Sequence, residues 1–205
     1  MAVDNSDPPR KRRSWYQLSA AAFRWVHIYL SMLSFASLMF FAFTGITLNH
    51  PTWFGAARQS VRDAKGELPV EVLENVDQLA IAERMRNEHG LRGQVSEFTV
   101  DEYECMVVFK GPGYAADVFI DRETRGYTVT ETTTGIMAVL NDLHKGRDSG
   151  VGWSWLIDVS AGVMILVSLS GFGLIFYLRK RRVSGVTTAV VGTLVLFVVW
   201  VFWVP

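Results

Sequence analysis

Four histidines, His27, His50, His89 and His144, and a single cysteine, Cys105, are the residues in this chain best suited to metal or redox chemistry. One cysteine excludes an intramolecular disulfide and any Cys-based zinc or iron–sulfur site. Histidine chemistry remains. A b-type haem needs an axial imidazole, usually two, and an apolar slot between helices. His50 closes one long apolar stretch and His144 lies shortly before another, so both imidazoles reach the same membrane face. They are the candidate axial pair, with haem iron as the metal. Trp53, Phe54, Trp153 and Trp155 can wall a macrocycle, and Lys145 and Arg147 can pair with its propionates. The same residues have a plainer reading. His50-Pro51 can simply stop a helix, and His144 can be a cation at a helix C-terminus.

His27 precedes His50 by 23 residues, about 35 Å along a helix. It cannot share a metal with His50 or His144. It is either a ligand of a second, inner haem completed by another subunit, or an interfacial histidine beside Trp25. Asp158 is the one carboxylate inside an apolar stretch, a costly placement that marks a functional candidate. It can orient His144 or His50 at the cofactor site, relay a proton, or pair with Thr44, Thr47 or Arg147. His89 precedes Gly90 and reads as a helix C-terminal cation. No Gly-rich phosphate loop and no HExxH zinc motif occurs.

The elements that must position these residues follow from hydropathy. Half the residues are hydrophobic, 20% are charged and the formal net charge is zero, which gives no basis for nucleic-acid binding. Three stretches are long and apolar enough to cross a bilayer. The expected organisation is a basic tail over 1–22, a first span over 23–48, a polar domain over 49–150, a second span over 151–178, a basic loop over 179–184 and a third span over 185–205. Arg10–Arg13 and Arg179–Arg182 predict cytoplasmic ends for the first two spans, placing the N-terminus inside and the polar domain on the opposite side. All seven tryptophans fall at predicted interfaces.

Segment 51–150 carries 17 Asp and Glu against 11 Lys and Arg. Pro51 to Pro69 reads as a linker. Asn75 or Asp77 can cap a helix ending near His89, with Gly90 as its stop. Strand-like runs follow at Val95–Val100, Cys105–Lys110, Ala116–Asp121 and Tyr127–Thr130, broken by Gly111-Pro112-Gly113 and by the turn from Asp121 to Gly126. Thr130–Thr134 reads as a polar connection, and a second helix is predicted over about 135–144. The fold class expected is an α-helical membrane protein with three transmembrane helices and an α+β domain inserted between helices 1 and 2.

Phe23-Arg24-Trp25-Val26-His27, Thr44-Gly45, the strand–turn Val118–Thr124, Leu143-His144-Lys145-Gly146-Arg147, Trp155–Asp158 and Ser170-Gly171 occur in an order that resembles the PepSY-associated transmembrane proteins of bacteria. The likeness runs over roughly 14–182. It implies a PepSY-like extracytoplasmic domain and a multi-pass protein of the bacterial inner membrane. Larger members resemble haem-containing reductases of ferric siderophores, whereas PepSY domains elsewhere resemble inhibitory or interaction modules. This chain departs from the larger reductases in having three spans. The resemblance implies a haem-b electron-transfer subunit supporting periplasmic reduction, of ferric-reductase type and linked to iron homeostasis if enzymatic. The alternative is a membrane-anchored interaction or inhibitory module without redox activity. The implied partners are the lipid bilayer, another copy or a larger membrane redox protein, and a ferric siderophore.

Overall fold

A computed structural model describes residues 14–55, 58–74 and 76–205. The Arg10–Arg13 cluster and the alternative cap Asn75 lie outside the described residues. Three helices are long and apolar enough to cross a membrane: α1 (Trp15–Asn49), α5 (Gly150–Ile175) and α6 (Arg182–Trp203). Between α1 and α5 the chain forms β1 (Gln59–Glu67), α2 (Val70–Glu74), α3 (Gln78–His89), β2 (Gln94–Val100), β3 (Glu104–Gly111), β4 (Tyr114–Asp121), β5 (Gly126–Thr134) and α4 (Ile136–Lys145).

Helix α1 starts at Trp15, eight residues before the expected first span. At about 1.5 Å per residue its 35 residues run to roughly 52 Å, well beyond a hydrocarbon core of about 30 Å. The helix therefore carries polar Gln17 ahead of the expected span. Nothing stops it earlier, because no proline or glycine falls between Trp15 and Thr44.

The strands form one antiparallel sheet in the order β1-β5-β4-β3-β2. Alternation assigns its faces. Cys105, Val107 and Phe109 of β3, Val118 and Ile120 of β4, and Tyr127 and Val129 of β5 point to one side. There they pack with Ile81, Ala82 and Met85 of α3. Asp77 caps α3 by accepting a bond from the Ala80 N–H (3.0 Å), and Gly90 ends it in the left-handed region at φ 69°. The buried Cys105 thiol is pushed up by desolvation, in keeping with a packing role.

The linker expected over Pro51–Pro69 is corrected: its second half is β1. Gln59–Glu67 pairs with β5 through nine consecutive partners, from Gln59↔Thr134 to Glu67↔Gly126. Charged Arg62, Asp63, Lys65 and Glu67 hid the strand from the sequence, yet charge is what an exposed edge strand requires to resist pairing with other chains. Thr130–Thr134, expected as a connection, is the second half of β5: a run rich in β-branched threonine paired with β1 on one side and β4 on the other. Arg62 bridges the largely buried Glu131 across this ladder at 2.5 Å.

By contacts the chain divides into two compact units. One comprises the chain through Ala36 and from Ser160 onward; the other is Ser37–Val159. In the first, Tyr16 and Phe23 of α1 pack on Tyr177 with ring centroids 5.0 and 5.7 Å apart. Phe23 also covers Gly173, and Ile175 covers Gly185, at positions where any Cβ would collide. The second holds the sheet with α2, α3, α4, the end of α1 and the start of α5.

Candidate functional site

Within the second unit, α4 brings His144 onto α1. Gly135 begins α4, and Gly146 ends it in the left-handed region at φ 67°. Three bonds fix the helix. The Gly113 N–H donates to Asp142 Oδ2 (2.9 Å), the Thr47 hydroxyl donates to Asn141 Oδ1 (2.6 Å), and the Trp153 indole N–H donates to the Leu143 carbonyl (2.7 Å). His144 then lies edge-on to Phe41, with Nδ1 2.6 Å from Thr44 Oγ1. Its Cε1 sits above Gly45, 3.8 Å from where a Cβ would be.

Thr44 settles the tautomer. Its hydroxyl donates to the Phe40 carbonyl at 2.6 Å, so its oxygen is left as an acceptor. The proton between Thr44 and His144 therefore belongs to Nδ1, and Nε2 carries the lone pair. Burial pushes the His144 imidazole below its ordinary titration range, and the neighbouring Lys145 cation adds to this. A neutral imidazole with Nδ1 tied and Nε2 bearing a lone pair is the form that ligates a metal.

In the first unit His27 repeats the arrangement. Nδ1 lies 3.1 Å from Ser170 Oγ and 3.2 Å from the Val167 carbonyl. Ser170 donates its own proton to Val167 O (2.8 Å), so Nδ1–H is again the donor and Nε2 again carries the lone pair. The ring lies on Gly171, with Cε1 only 3.0 Å from the position of a Cβ. Each histidine thus pairs with a hydroxyl–glycine dipeptide, Thr44-Gly45 or Ser170-Gly171. In the sequence both dipeptides stand out only through the family resemblance, and nothing there connects them to the imidazoles. The only local signal was a hydroxyl beside a glycine within an apolar helix.

The other candidates fall elsewhere. His50 stacks on Trp53, centroids 3.8 Å apart and planes 8° from parallel, and among the described residues neither ring nitrogen has a hydrogen-bond partner. No ring contact joins His50 to His144 among the described residues. His89 Nε2–H donates to the Tyr127 hydroxyl (2.9 Å), which donates to Glu88 (2.9 Å); this imidazole has no spare nitrogen on that side. Lys145 and Arg147 are exposed, and Arg147 lies 4.0 Å from Asp142. Asp158 touches none of its expected partners. Thr44 holds His144, Thr47 holds Asn141, Arg147 faces Asp142, and Asp158 is exposed on α5 with no hydrogen bond or ion pair among the described residues. Among the described residues no three His, Cys, Asp or Glu side chains gather as a metal site.

A second feature lies on the polar domain. An open concavity of about 680 Å³ is bordered by Glu67, Asp101, Glu104 and Asp121, by Tyr103 and Phe119, and by a single base, Lys65. Backbone N–H groups of Thr124 and Glu123 hold the Asp121 carboxyl below its usual range.

No curated protein and no solved structure matches the chain. A family model does, over residues 21–205, a range that takes in α1 from its seventh residue, the whole of α5 and α6, the sheet and both histidine–glycine contacts. The chain belongs to the PepSY_TM-like family.

Proposed function

We propose that this protein is a haem-b-binding electron-transfer subunit of the bacterial inner membrane, with its PepSY-like domain in the periplasm and its N-terminus inside. The observation that carries the reading is the pair of 2.6 Å contacts at Thr44 Oγ1, to the Phe40 carbonyl and to His144 Nδ1, from which Nδ1–H as donor and a lone pair on Nε2 follow. His144 is the ligand held in place. His50, in the same unit and free of ring hydrogen bonds, is the second. His27 is the ligand of an inner site completed by another subunit. A haem held there supplies one-electron redox chemistry. The chain's own residues orient the imidazole, keep it neutral and, through Lys145 and Arg147, offer charge to propionates. Acceptors of the ferric-siderophore class and a larger membrane redox protein fit this role. The orientation rests on the basic residues Arg179–Arg182 between α5 and α6 and on Arg10–Arg13.

The test is the absorption spectrum of the full chain produced with ample haem, oxidised and reduced. Wild type is expected to give a six-coordinate low-spin Soret band. His144→Ala or His50→Ala abolishes that band, and His27→Ala leaves it. Wild type without a Soret band overturns the proposal.

A second reading draws on the acid- and aromatic-lined concavity of the domain. Four carboxylates against one lysine, with Tyr103 and Phe119 alongside, suit a basic peptide segment of a partner protein. In this reading the spans anchor a non-redox interaction module. Titrating an Arg/Lys-rich peptide into the detergent-solubilised chain tests it. Salt-sensitive binding lost in Asp121→Asn/Glu104→Gln supports it, and no binding at low salt removes it.

A further inference from the structure

The described part of the first unit, 14–36 and 160–205, contains five cations, Arg24, Arg179, Lys180, Arg181 and Arg182, and no Asp or Glu. The last four are exposed at the turn from α5 to α6, and none has a carboxylate partner among the described residues. Arg182 lies over the Phe176 ring, 5.7 Å from its centroid. No side chain caps the N-terminus of α6, so its leading N–H groups add positive potential at the same place. The counter-charge for this turn must come from outside the unit.

Beyond the turn the two helices part. Gly185 and Gly192 are seven residues apart and so share one face of α6. A Cβ at Gly185 would collide with Ile175 of α5, whereas one at Gly192 would meet nothing within 4 Å. Alongside lies a groove of about 290 Å³, lined by Phe172 of α5 and by Val186, Ala189, Val190, Thr193 and Leu194 of α6. Thr193, the one hydroxyl in this lining, donates to the Ala189 carbonyl of its own helix (2.9 Å). Val186 to Leu194 lie about 6 to 18 Å along α6 from Arg182. In a hydrocarbon core of about 30 Å, that is the depth of the acyl chains beneath the phosphates of one leaflet.

We propose that this groove binds one anionic phospholipid, with an acyl chain along α6 against Phe172 and the phosphate among Arg179–Arg182. Charge complementarity selects this occupant. A second copy of the chain packed on the same face would bring four more cations to the turn. A zwitterionic lipid would bring a phosphate but no net charge. Arginine's planar fork matches two phosphate oxygens at once, and Lys180 adds a point charge. The groove supplies what a basic turn alone lacks, an apolar seat for the chain that carries the phosphate. Such a site needs neither haem nor any of the imidazoles.

The experiment is native mass spectrometry of the full-length chain in a non-ionic detergent, titrated with phosphatidylglycerol or phosphatidylcholine of identical acyl chains. Wild type is expected to retain one phosphatidylglycerol, held about tenfold more tightly than phosphatidylcholine. Arg179→Gln/Lys180→Gln/Arg181→Gln/Arg182→Gln removes that preference. Ala189→Trp keeps every charge, fills the groove and weakens phosphatidylglycerol retention about tenfold. Val195→Trp, on the opposite side of α6, leaves retention unchanged. An unfolding midpoint equal to wild type in both tryptophan variants without lipid separates a blocked groove from a lost fold. Three results each overturn the proposal: equal retention of the two lipids by wild type, retention by Ala189→Trp as tight as wild type, or a dimer that forms in place of the lipid-bound monomer. Displacement of the lipid by millimolar inorganic phosphate also overturns it, since the turn would then be an anion site only.

Discussion

His27 over Ser170-Gly171 and His144 over Thr44-Gly45 are built from the same three parts and differ in slack. The His27 ring presses on Gly171, so that a methyl group there would require it to give by a few tenths of an ångström, and its Nδ1–H is shared between two acceptors at 3.1 and 3.2 Å. The His144 ring stands off Gly45 at ordinary van der Waals distance and depends on one short bond of 2.6 Å. The first contact is fixed by shape, with redundant hydrogen bonding. The second is fixed by one hydrogen bond, with shape left loose. Rigid steric contacts fail when something is added, and singly bonded contacts fail when something is removed.

The largest effect expected of this difference is at Gly171. Gly171→Leu pushes a branched side chain into the His27 ring and should cost about 1–3 kcal/mol, the range for overpacking, read as a lower unfolding midpoint in detergent. Gly45→Leu starts from an ordinary van der Waals contact of 3.8 Å and should cost less. Next comes deletion of the acceptors. Thr44→Val leaves the His144 Nδ1–H without a partner at a site where Thr44 itself is fully buried, at a cost of about 1–3 kcal/mol. Ser170→Ala leaves His27 its bond to Val167 O and should cost less than about 1 kcal/mol. Equal losses at the two hydroxyls would remove the distinction between the contacts.

A smaller effect is expected from pH. The folded state holds the His144 imidazole below its ordinary value of about 6.5. As pH falls through that ordinary value, the unfolded chain takes up a proton that the folded chain resists, so this group lowers stability on acidification. The loss stops once pH passes below the folded value. Unfolding midpoints measured between pH 7.5 and 5 should therefore decline less in His144→Gln than in wild type. A steeper decline in the variant would mean that His144 gains, and does not lose, from its surroundings on protonation. The smallest effect is Gly45→Ala, within about 0.5 kcal/mol of wild type, since its methyl carbon would lie 3.8 Å from Cε1.

The histidines and the long helices were legible in the sequence because each carries a local signal: an unusual residue type in one case, an uninterrupted apolar run in the other. The four strands from Val95 to Thr130 were legible through alternation and turn residues. Strand β1 was not, because QSVRDAKGE has little apolar alternation and takes its register from β5, which lies far along the chain. The hydroxyl–glycine seats of the histidines were invisible for a related reason. Thr44 and His144 are 100 positions apart, and His27 and Ser170 are 143. A tautomer set by whether a threonine proton is already committed to Phe40 depends on folded geometry that composition and spacing do not contain.

The pairing of β1 with β5 also has a mechanical side. Gln59, where the chain arrives from α1, is opposite Thr134, where it leaves for α4, so both connections emerge from one end of the ladder. The Gly135 N–H bond to the Arg58 carbonyl (3.2 Å) continues the ladder toward the helices. Tension that draws the end of α1 away from the start of α4 loads this ladder as a zipper and not in shear. Its rungs part singly, beginning at Gln59↔Thr134, while the far end at Glu67↔Gly126 still holds. The domain can thus yield to a displacement of its helical attachments by releasing a few rungs, and reclose them, with Val118, Val129 and the rest of the core kept dry.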